Sequence, residues 1–182
     1  EYIKTASDDW FVDFDDDELP NMAVGRLPVD SAEEAEAVVS KIISYESVAG
    51  LMNEVLLVAD ANDSQYDFEA NSAQVAASLP QDTTVSQIFR GQNPAARTEL
   101  LSSLNQGQLL VNYVGHGSVE IWKGNLLTSS DAWDLTNSPY LPFLVSMTCL
   151  NGFFHDPYGD SLAEAFLKVK EGGAVAVWAS SG

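Results

Sequence analysis

The chain has 182 residues, of which 46% are hydrophobic. This length and composition fit one folded domain with its own core and exclude a disordered chain. Aspartate and glutamate number 27 against 8 lysines and arginines, which gives a formal net charge of −19. Because such a surface repels phosphate groups, we expect no nucleic acid and no anionic membrane surface as a partner. Apolar runs such as residues 173–179 are too short to cross a bilayer, so we expect no membrane span.

The first residue bears on the origin of the chain. The first residue is Glu1 rather than Met, and no secretory signal is present. We therefore expect a processed product or a piece of a larger protein.

Cys149 is the single cysteine, so no intrachain disulfide can form. A lone cysteine is most often a small buried hydrophobe, and any other role has to come from its surroundings.

An irregular, acid-rich segment is predicted for residues 1–28, followed by a helix over residues 31–46. Ser31 is expected to cap this helix, with Glu34 completing a capping box. Helical spacing places five apolar residues on one face of the helix, namely Ala35, Val38, Val39, Ile42 and Ile43.

Strands and helices then alternate to the end of the chain. Strands are predicted at residues 55–60, 83–89, 108–114, 141–148 and 174–179, and helices at residues 68–79, 94–105, 129–135 and 159–172. This alternation predicts a parallel sheet with right-handed crossovers. Several strands are apolar on both faces, as is typical of a sheet with helices on both sides. The sequence therefore predicts an α/β fold in a single domain over residues 1–182.

Two of the predicted strands end in reactive side chains. One strand runs into Gly115, His116 and Gly117, and the next into Thr148 and Cys149. Sites in open parallel sheets form at the carboxyl ends of strands, so His116 and Cys149 would face each other if these strands are neighbours. An imidazole favours the thiolate, which is the attacking species, and then protonates the leaving amine. The N–H groups of Gly117 and Cys149 could hold the oxyanion of an acyl-transfer intermediate.

Each of these features has a plainer interpretation on its own. A histidine in a loop is usually solvated, a lone cysteine after a strand is usually buried, and Gly-His-Gly is a weak motif. The combination of both side chains at strand ends of one sheet favours a Cys/His hydrolase.

The same segments resemble the gingipain-type cysteine peptidases, which share the caspase-like fold. The resemblance covers most of residues 19–182 and runs, in order, through DELPNMAVGRLPVDSAEEAEAVVSKIISYE, LLVNYVGHGSVEIW, LTNSPYLPFLVSMTCLNGFF and SLAEAFLKVKEGGAVAVWASSG. It implies a caspase-like three-layer sandwich, a mostly parallel sheet with helices on both faces. It also implies that His116 is the catalytic histidine, that Cys149 is the nucleophile and that Gly117 supplies an oxyanion-hole N–H.

The resemblance extends to substrate binding and to a possible third catalytic group. The family uses an acidic residue after the first strand to bind a basic substrate side chain, and in DANDSQYDFE the best match is Asp67. The family also has an acid near the histidine, for which Asp60, Asn62 and Asp63 all remain candidates. Trp122 is a candidate for lining a substrate groove, with the hydrophobic core as the alternative.

Three acids alternate near the N-terminus, in the segment FVDFDDDELP. Asp13, Asp15 and Asp17 are spaced as in the first half of a calcium-binding loop. Glu18 stands where an EF-hand requires glycine, and Val24 where it requires a bidentate glutamate. The sequence therefore leaves open a structural Ca²⁺ site and a plain solvated acidic turn, and it predicts no other cofactor.

These observations predict a secreted or cell-surface cysteine endopeptidase that cleaves protein or peptide substrates through a thioester, after Arg or Lys. Two alternatives stay open: a non-catalytic binding domain of a large surface protein, and a sorting transpeptidase of the same family that passes the acyl group to an amine. The resemblance covers the second half of a full catalytic unit, and the chain stops directly after the last strand. We therefore expect that this fragment can be inactive even if its parent is a peptidase.

Overall fold

A computed structural model describes residues 6–48 and 52–182, so the first five residues of the predicted irregular segment lie outside the described part. Five parallel strands form the main sheet, in the order β2-β1-β3-β6-β7. An antiparallel hairpin of β4 and β5 follows β3. The strands are β1 Glu54–Ala59, β2 Thr84–Phe89, β3 Leu110–Val114, β4 Gly117–Ser118, β5 Ile121–Trp122, β6 Phe143–Met147 and β7 Ala176–Ala179.

The helices are α1 Ala32–Glu46, α2 Phe68–Ser78, α3 Ala96–Asn105, α4 Ser129–Trp133 and α5 Leu162–Lys168, with short 3-10 helices at Asp9–Val12 and Lys123–Asn125. All predicted helices and sheet strands are present. The largest boundary difference is at α5, which was predicted from residue 159 to 172. Ser161 caps this helix by accepting from the Glu164 N–H at 3.3 Å, and the backbone turns extended at Val169. No helix in the described ranges is long and apolar enough to span a bilayer.

The sheet separates two helical layers. On one face, side chains of β1, β3 and β6 pack against α3, α4 and α5 in a continuous core. On the other face, α2 contacts β1 and β3. α1 contacts α5, which belongs to the first face. The residues at the centre of the core are almost fully buried, each contributing about 1.5–3 kcal/mol of hydrophobic stabilisation; they include Leu56, Val58, Leu100, Leu104, Val111, Leu144 and Phe166. The predicted α/β sandwich is confirmed.

The first turn of α1 differs in part from the prediction. Ser31 Oγ accepts from the Glu34 N–H at 3.2 Å, so the predicted N-cap is present. The Glu34 carboxylate, however, accepts from the Asp30 N–H at 2.8 Å instead of returning to Ser31. The predicted capping box is therefore wrong. Glu34 also lies 3.4 Å from the Nζ of Lys168, a buried cation whose position the sequence does not reveal.

The buried side of α1 is narrower than predicted. Val38 is buried, whereas Val39 and Ile43 are exposed. Lys41 takes the second buried position, where its Nζ donates 3.0 Å hydrogen bonds to two backbone carbonyl oxygens, one in α5 and one in the loop after it. Burial lowers the pKa of Lys41 to about 8. Apolar periodicity misses such a residue because a lysine stem packs like a hydrophobic side chain.

Candidate active site

The strands that precede His116 and Cys149 are neighbours. β3 and β6 pair in parallel with Val114 opposite Met147, and each reactive residue follows two positions later. The predicted adjacency of the two strand ends is therefore confirmed. The His116 side chain is 38% exposed, and Cys149 is exposed as well. Both side chains are thus accessible from solvent, which a buried structural cysteine is not.

The backbone of His116 is held from both sides. Its N–H donates to Asp60 Oδ2 at 3.2 Å, and its carbonyl oxygen accepts from the Tyr113 hydroxyl at 2.7 Å and from the Lys123 N–H at 2.9 Å. Burial, together with the charge of Asp60, raises the pKa of Tyr113, so this hydroxyl remains a proton donor. Gly115 is required in this turn because a Cβ there would overlap the Asp60 and Tyr113 side chains.

The imidazole ring of His116 contacts a carboxylate. Its Nε2 lies 2.8 Å from Asp63 Oδ2. The hydrogen bond with His116, followed by bonds from the Gln65 and Tyr66 N–H groups, lowers the pKa of Asp63 to about 2. Asp63 is therefore ionised at neutral pH. A carboxylate on Nε2 favours the proton at that nitrogen and leaves Nδ1 to exchange a proton with a thiol.

Three residues after β1 are candidates for the acid near the histidine, and the structure gives each a different contact. Asp63 meets the ring of His116, and Asp60 meets its backbone N–H. Asn62 instead accepts from the Glu69 N–H at 3.1 Å, at the start of α2. The sequence could not separate them because all three lie in one irregular loop, where no periodicity fixes the direction of a side chain.

Two aromatic rings border the imidazole, and the sequence did not single them out. The ring centroids of Tyr66 and Phe68 lie 6.0 and 5.1 Å from that of His116, both in edge-on arrangements. These residues flank Asp67 in the chain, and that YDF triplet was the available signal. The two rings restrict the orientation of the imidazole.

Cys149 is followed by a constrained turn. Leu150 has a positive φ of 60°, which is uncommon for a residue with a side chain and is typical of functional turns. The next residue, Asn151, is buried, and its Oδ1 accepts from Trp122 Nε1 at 2.9 Å and from Ser146 Oγ at 2.8 Å. Its Nδ2 donates to the carbonyl oxygen of Ser118. The side chain of Asn151 thus ties the cysteine turn to the hairpin that follows His116.

Trp122 does not line a groove. It is fully buried and stacks on Tyr113, with ring centroids 4.0 Å apart and planes 8° from parallel. Its Nε1 also donates to Ser146 Oγ at 3.1 Å. The predicted substrate-binding role of Trp122 is therefore wrong, because its ring belongs to the core under the site. β5 is only two residues long, so no alternation in the sequence marks Trp122 as an inward-facing residue.

Gly117 lies against the cysteine strand. A Cβ on Gly117 would be 2.6 Å from Thr148 Oγ1 and 2.9 Å from the carbonyl oxygen of Ile121, which leaves no room for a side chain. The backbone at Gly117 therefore approaches the residue that precedes Cys149. The oxyanion-hole role of the Gly117 N–H stays a prediction.

A mainly apolar groove of about 440 Å³ lies beside these loops. Its walls come from the loop before α2, from α2, and from the ends of β3, β6 and β7; they include Tyr66, Phe68, Asn71, Val114, Met147 and Trp178. Asp67 is exposed and lies in the chain between two of these lining residues. Its Oδ1 caps α2 by accepting from the Ala70 N–H at 3.0 Å.

The acidic segment near the N-terminus folds back on itself. Carboxylate oxygens of Asp13, Asp15 and Asp17 all lie within 4.8 Å of one another. Asp13 also accepts from the N–H groups of Asp17 and Glu18, at 3.2 and 3.0 Å. These hydrogen bonds shape the turn without an ion, and the convergence of three carboxylates would also suit Ca²⁺.

Comparison with known proteins then identifies the family. The sequence profile of peptidase family C25 matches residues 1–182. The chain belongs to this family. Among C25 relatives from Porphyromonas gingivalis, Lys-gingipain W83 and gingipain R2 are each 27% identical to it, over 98% and 91% of this chain. The predicted gingipain-type relationship is confirmed. The matches cover 11% and 24% of those proteins, so the chain spans at most about a quarter of their length.

Solved structures give the same result for the C25 fold. The crystal structure of the Arg-specific cysteine proteinase gingipain R superposes with a TM-score of 0.72 at 25% identity, over 84% of this chain and 38% of that one. A complex of the Porphyromonas gingivalis RgpB pro- and mature domains superposes with a TM-score of 0.82 at 24% identity, over 98% and 45% of the two chains.

Proposed function

We propose that this chain carries the catalytic dyad of a cysteine endopeptidase, with Cys149 as nucleophile and His116 as general acid and base. The observation that carries the proposal is the placement of both exposed side chains two residues beyond paired positions of β3 and β6. Membership of a peptidase family supports it. The exposure of Cys149 argues against the alternative in which the cysteine only fills the core.

The proposed reaction uses the two nitrogens of His116 differently. With Nε2 directed at Asp63, Nδ1 takes the thiol proton of Cys149, and the thiolate attacks the substrate carbonyl carbon. The N–H groups of Gly117 and Cys149 stabilise the oxyanion. Nδ1 then returns the proton to the leaving amine as the C–N bond breaks, which gives a thioester. Water, activated by the imidazole, hydrolyses the thioester and restores the thiol. In a transpeptidase, an amine takes the place of this water.

The test is covalent labelling by a peptide that ends in an acyloxymethyl ketone, a group that alkylates activated cysteines. We expect a single adduct on Cys149, located by mass spectrometry after digestion. Cys149→Ala should abolish the adduct, and His116→Ala should reduce it to a trace. Equal labelling of the wild type and His116→Ala would contradict the dyad and favour a binding domain. Adding an amine acceptor to a cleavable peptide ester separates hydrolysis from transpeptidation.

We further propose that Asp67 directs cleavage after Arg or Lys. Asp67 is exposed and lies in the chain between the groove-lining residues Tyr66 and Phe68, and a carboxylate pairs well with a guanidinium. We expect Asp67→Asn to weaken transition-state binding of Arg and Lys substrates by about 1.5–3 kcal/mol, the scale of a hydrogen bond to a charged group. Profiling on a peptide library measures it. A wild-type preference for acidic or apolar residues at this subsite would remove the role of Asp67.

A structural Ca²⁺ at Asp13, Asp15 and Asp17 is also proposed. An ion that binds only the folded chain raises its melting temperature, so Ca²⁺ at about a hundredfold above its Kd is expected to add about 2.7 kcal/mol of stability. Because any salt screens a net charge of −19, the comparison uses Mg²⁺ at matched ionic strength. Equal effects of the two ions leave only the solvated acidic turn. The control variant Asp15→Asn should remove the difference.

We propose, finally, that the protein acts outside the cell, as a secreted or surface-bound peptidase on protein or peptide substrates. Antibody detection in the culture medium and on intact cells tests this location.

A further inference from the structure

We infer that the buried pair of Asp60 and Arg90 is a positioning unit for His116. This inference rests on the proposed function, because it concerns how the acid–base residue is held. The positioning role does not require Asp60 or Arg90 to contact the substrate. The pair acts through the backbone of His116, whereas Asp63 acts on its ring.

The Asp60 carboxylate is fully buried and each of its oxygens accepts hydrogen bonds. Oδ1 accepts from the Ala61 N–H at 2.7 Å and from Arg90 Nε at 2.6 Å, and Oδ2 accepts from the His116 N–H at 3.2 Å. A buried carboxylate is stable only when it is paired and hydrogen-bonded, and Arg90 supplies the charge. Asp60 therefore connects three elements: the end of β1, the end of β2 and the turn after β3.

Contacts on both sides make this connection rigid. The Asp60 N–H donates to the carbonyl oxygen of Val114 at 3.0 Å, which extends the pairing of β1 and β3 up to the turn. The Arg90 N–H donates to the carbonyl oxygen of Ala59 at 2.9 Å. A Cβ on Gly124 would lie 3.0 Å from Arg90 Nη1, so the guanidinium also borders the loop after the β4–β5 hairpin. The backbone of His116 thus lies between Asp60, which accepts from its N–H, and the loop at Gly124, which Arg90 contacts.

The arrangement cannot be replaced by a neutral amide. An asparagine at position 60 has one acceptor oxygen, whereas Ala61, Arg90 and His116 all present donors. Whichever way the amide turns, its NH₂ group faces a donor, and the turn at His116 has to shift. A displacement of about 1 Å at a reacting group can cost about 100-fold in rate, so a small shift is enough to uncouple the dyad.

The experiment measures the rate of Cys149 alkylation by iodoacetamide as a function of pH, well below the melting temperature. We expect Asp60→Asn to lower the rate at pH 6 by about tenfold or more, towards that of His116→Ala, and to restore the pH dependence of an ordinary thiol. The matched control is Asp131→Asn, which disrupts a comparable carboxylate–arginine pair with Arg97 in α3. It should reduce stability yet leave the alkylation profile within about twofold of the wild type, since Asp131 shares no hydrogen-bond partner with Asp60 or His116 among the described residues.

A second variant tests the positioning role in case Asp60→Asn does not fold. Arg90→Lys keeps the charge but not the guanidinium geometry, and about a threefold fall at pH 6 is expected. A wild-type profile in whichever of the two variants folds overturns the positioning role, and so does an equal fall in Asp131→Asn. If the wild type itself does not respond to His116→Ala, the dyad fails instead, so the two failures are distinguishable.

Discussion

Replacing His116 with alanine is expected to slow alkylation of Cys149 by iodoacetamide on the order of 100-fold at pH 6. A free thiol has a pKa of about 8.5, so well under 1% of it is thiolate at that pH. In the proposed dyad the imidazole of His116, with Asp63 2.8 Å from its Nε2, would stabilise the thiolate as one half of an ion pair. Because Asp63 has a pKa of about 2, this support does not change between pH 5 and pH 8. The rate should therefore stay high in mild acid.

The chain offers a matched control for this experiment, because it has two histidines in all. His155 is exposed and packs against Phe153, outside the pair formed by β3 and β6. His155→Ala should reproduce the wild-type rate at every pH. The same slow rate in the wild type and in His116→Ala would show that Cys149 is not activated, and the binding-domain alternative would then lead.

Replacing Lys168 with methionine is expected to lower the free energy of unfolding by about 1.5–3 kcal/mol, the scale of a hydrogen bond to a charged group, because three of its four carboxylate partners are partly or largely exposed to water. The side chain of Lys168 is 1% exposed, and its Nζ lies 2.6 Å from Asp160, 2.8 Å from Asp30, 3.4 Å from Glu34 and 3.7 Å from Glu164. Without this cation, four carboxylates remain together in a chain that already carries a net charge of −19. Urea unfolding followed by circular dichroism measures the loss.

Lys168 stays charged in mildly alkaline solution, so the stability difference between the wild type and Lys168→Met persists there. Burial alone would lower its pKa, but hydrogen bonds to Asp160 and Asp30 and the nearby charges raise it overall. A raised pKa in a basic group means that its stabilisation is complete below about pH 10.4, the unfolded value, and is lost only above it. We expect the difference between wild type and Lys168→Met to be constant from pH 7 to pH 9. Lys170→Met, at an exposed position two residues away, should stay within about 0.5 kcal/mol of the wild type.

Much of the framework could be predicted from the sequence, because its strands are apolar runs separated by helical periodicity. That pattern alone placed His116 and Cys149 at the ends of two strands, and the register of β3 with β6 agrees with it. The acid partners could not be chosen, since Asp60 and Asp63 differ only in where an irregular loop points them.

The errors share a physical cause. Lys41 and Trp122 are buried through tertiary contacts, with backbone carbonyls in one case and with Tyr113, Ser146 and Asn151 in the other. The spacing of residues along the sequence does not reveal such tertiary partners. Apolar periodicity instead predicts that Val39 and Ile43 of α1 face inward, although both side chains are exposed. Sequence patterns thus predict the helices and strands well, but they predict poorly which polar residues are buried in the core.

The side chain of Asn151 has a consequence for motion. Because it hydrogen-bonds to Ser118 and Trp122 in the hairpin after His116, and also to Ser146 in β6, the loops that carry the two reactive groups are cross-linked by one amide. A displacement of one loop therefore strains the hydrogen bonds that hold the other, and we expect the two loops to be ordered together. Under the proposed function, a substrate that immobilises the thiol loop would meet an imidazole loop that is already ordered with it, and less of its binding free energy would be spent on bringing the two into alignment.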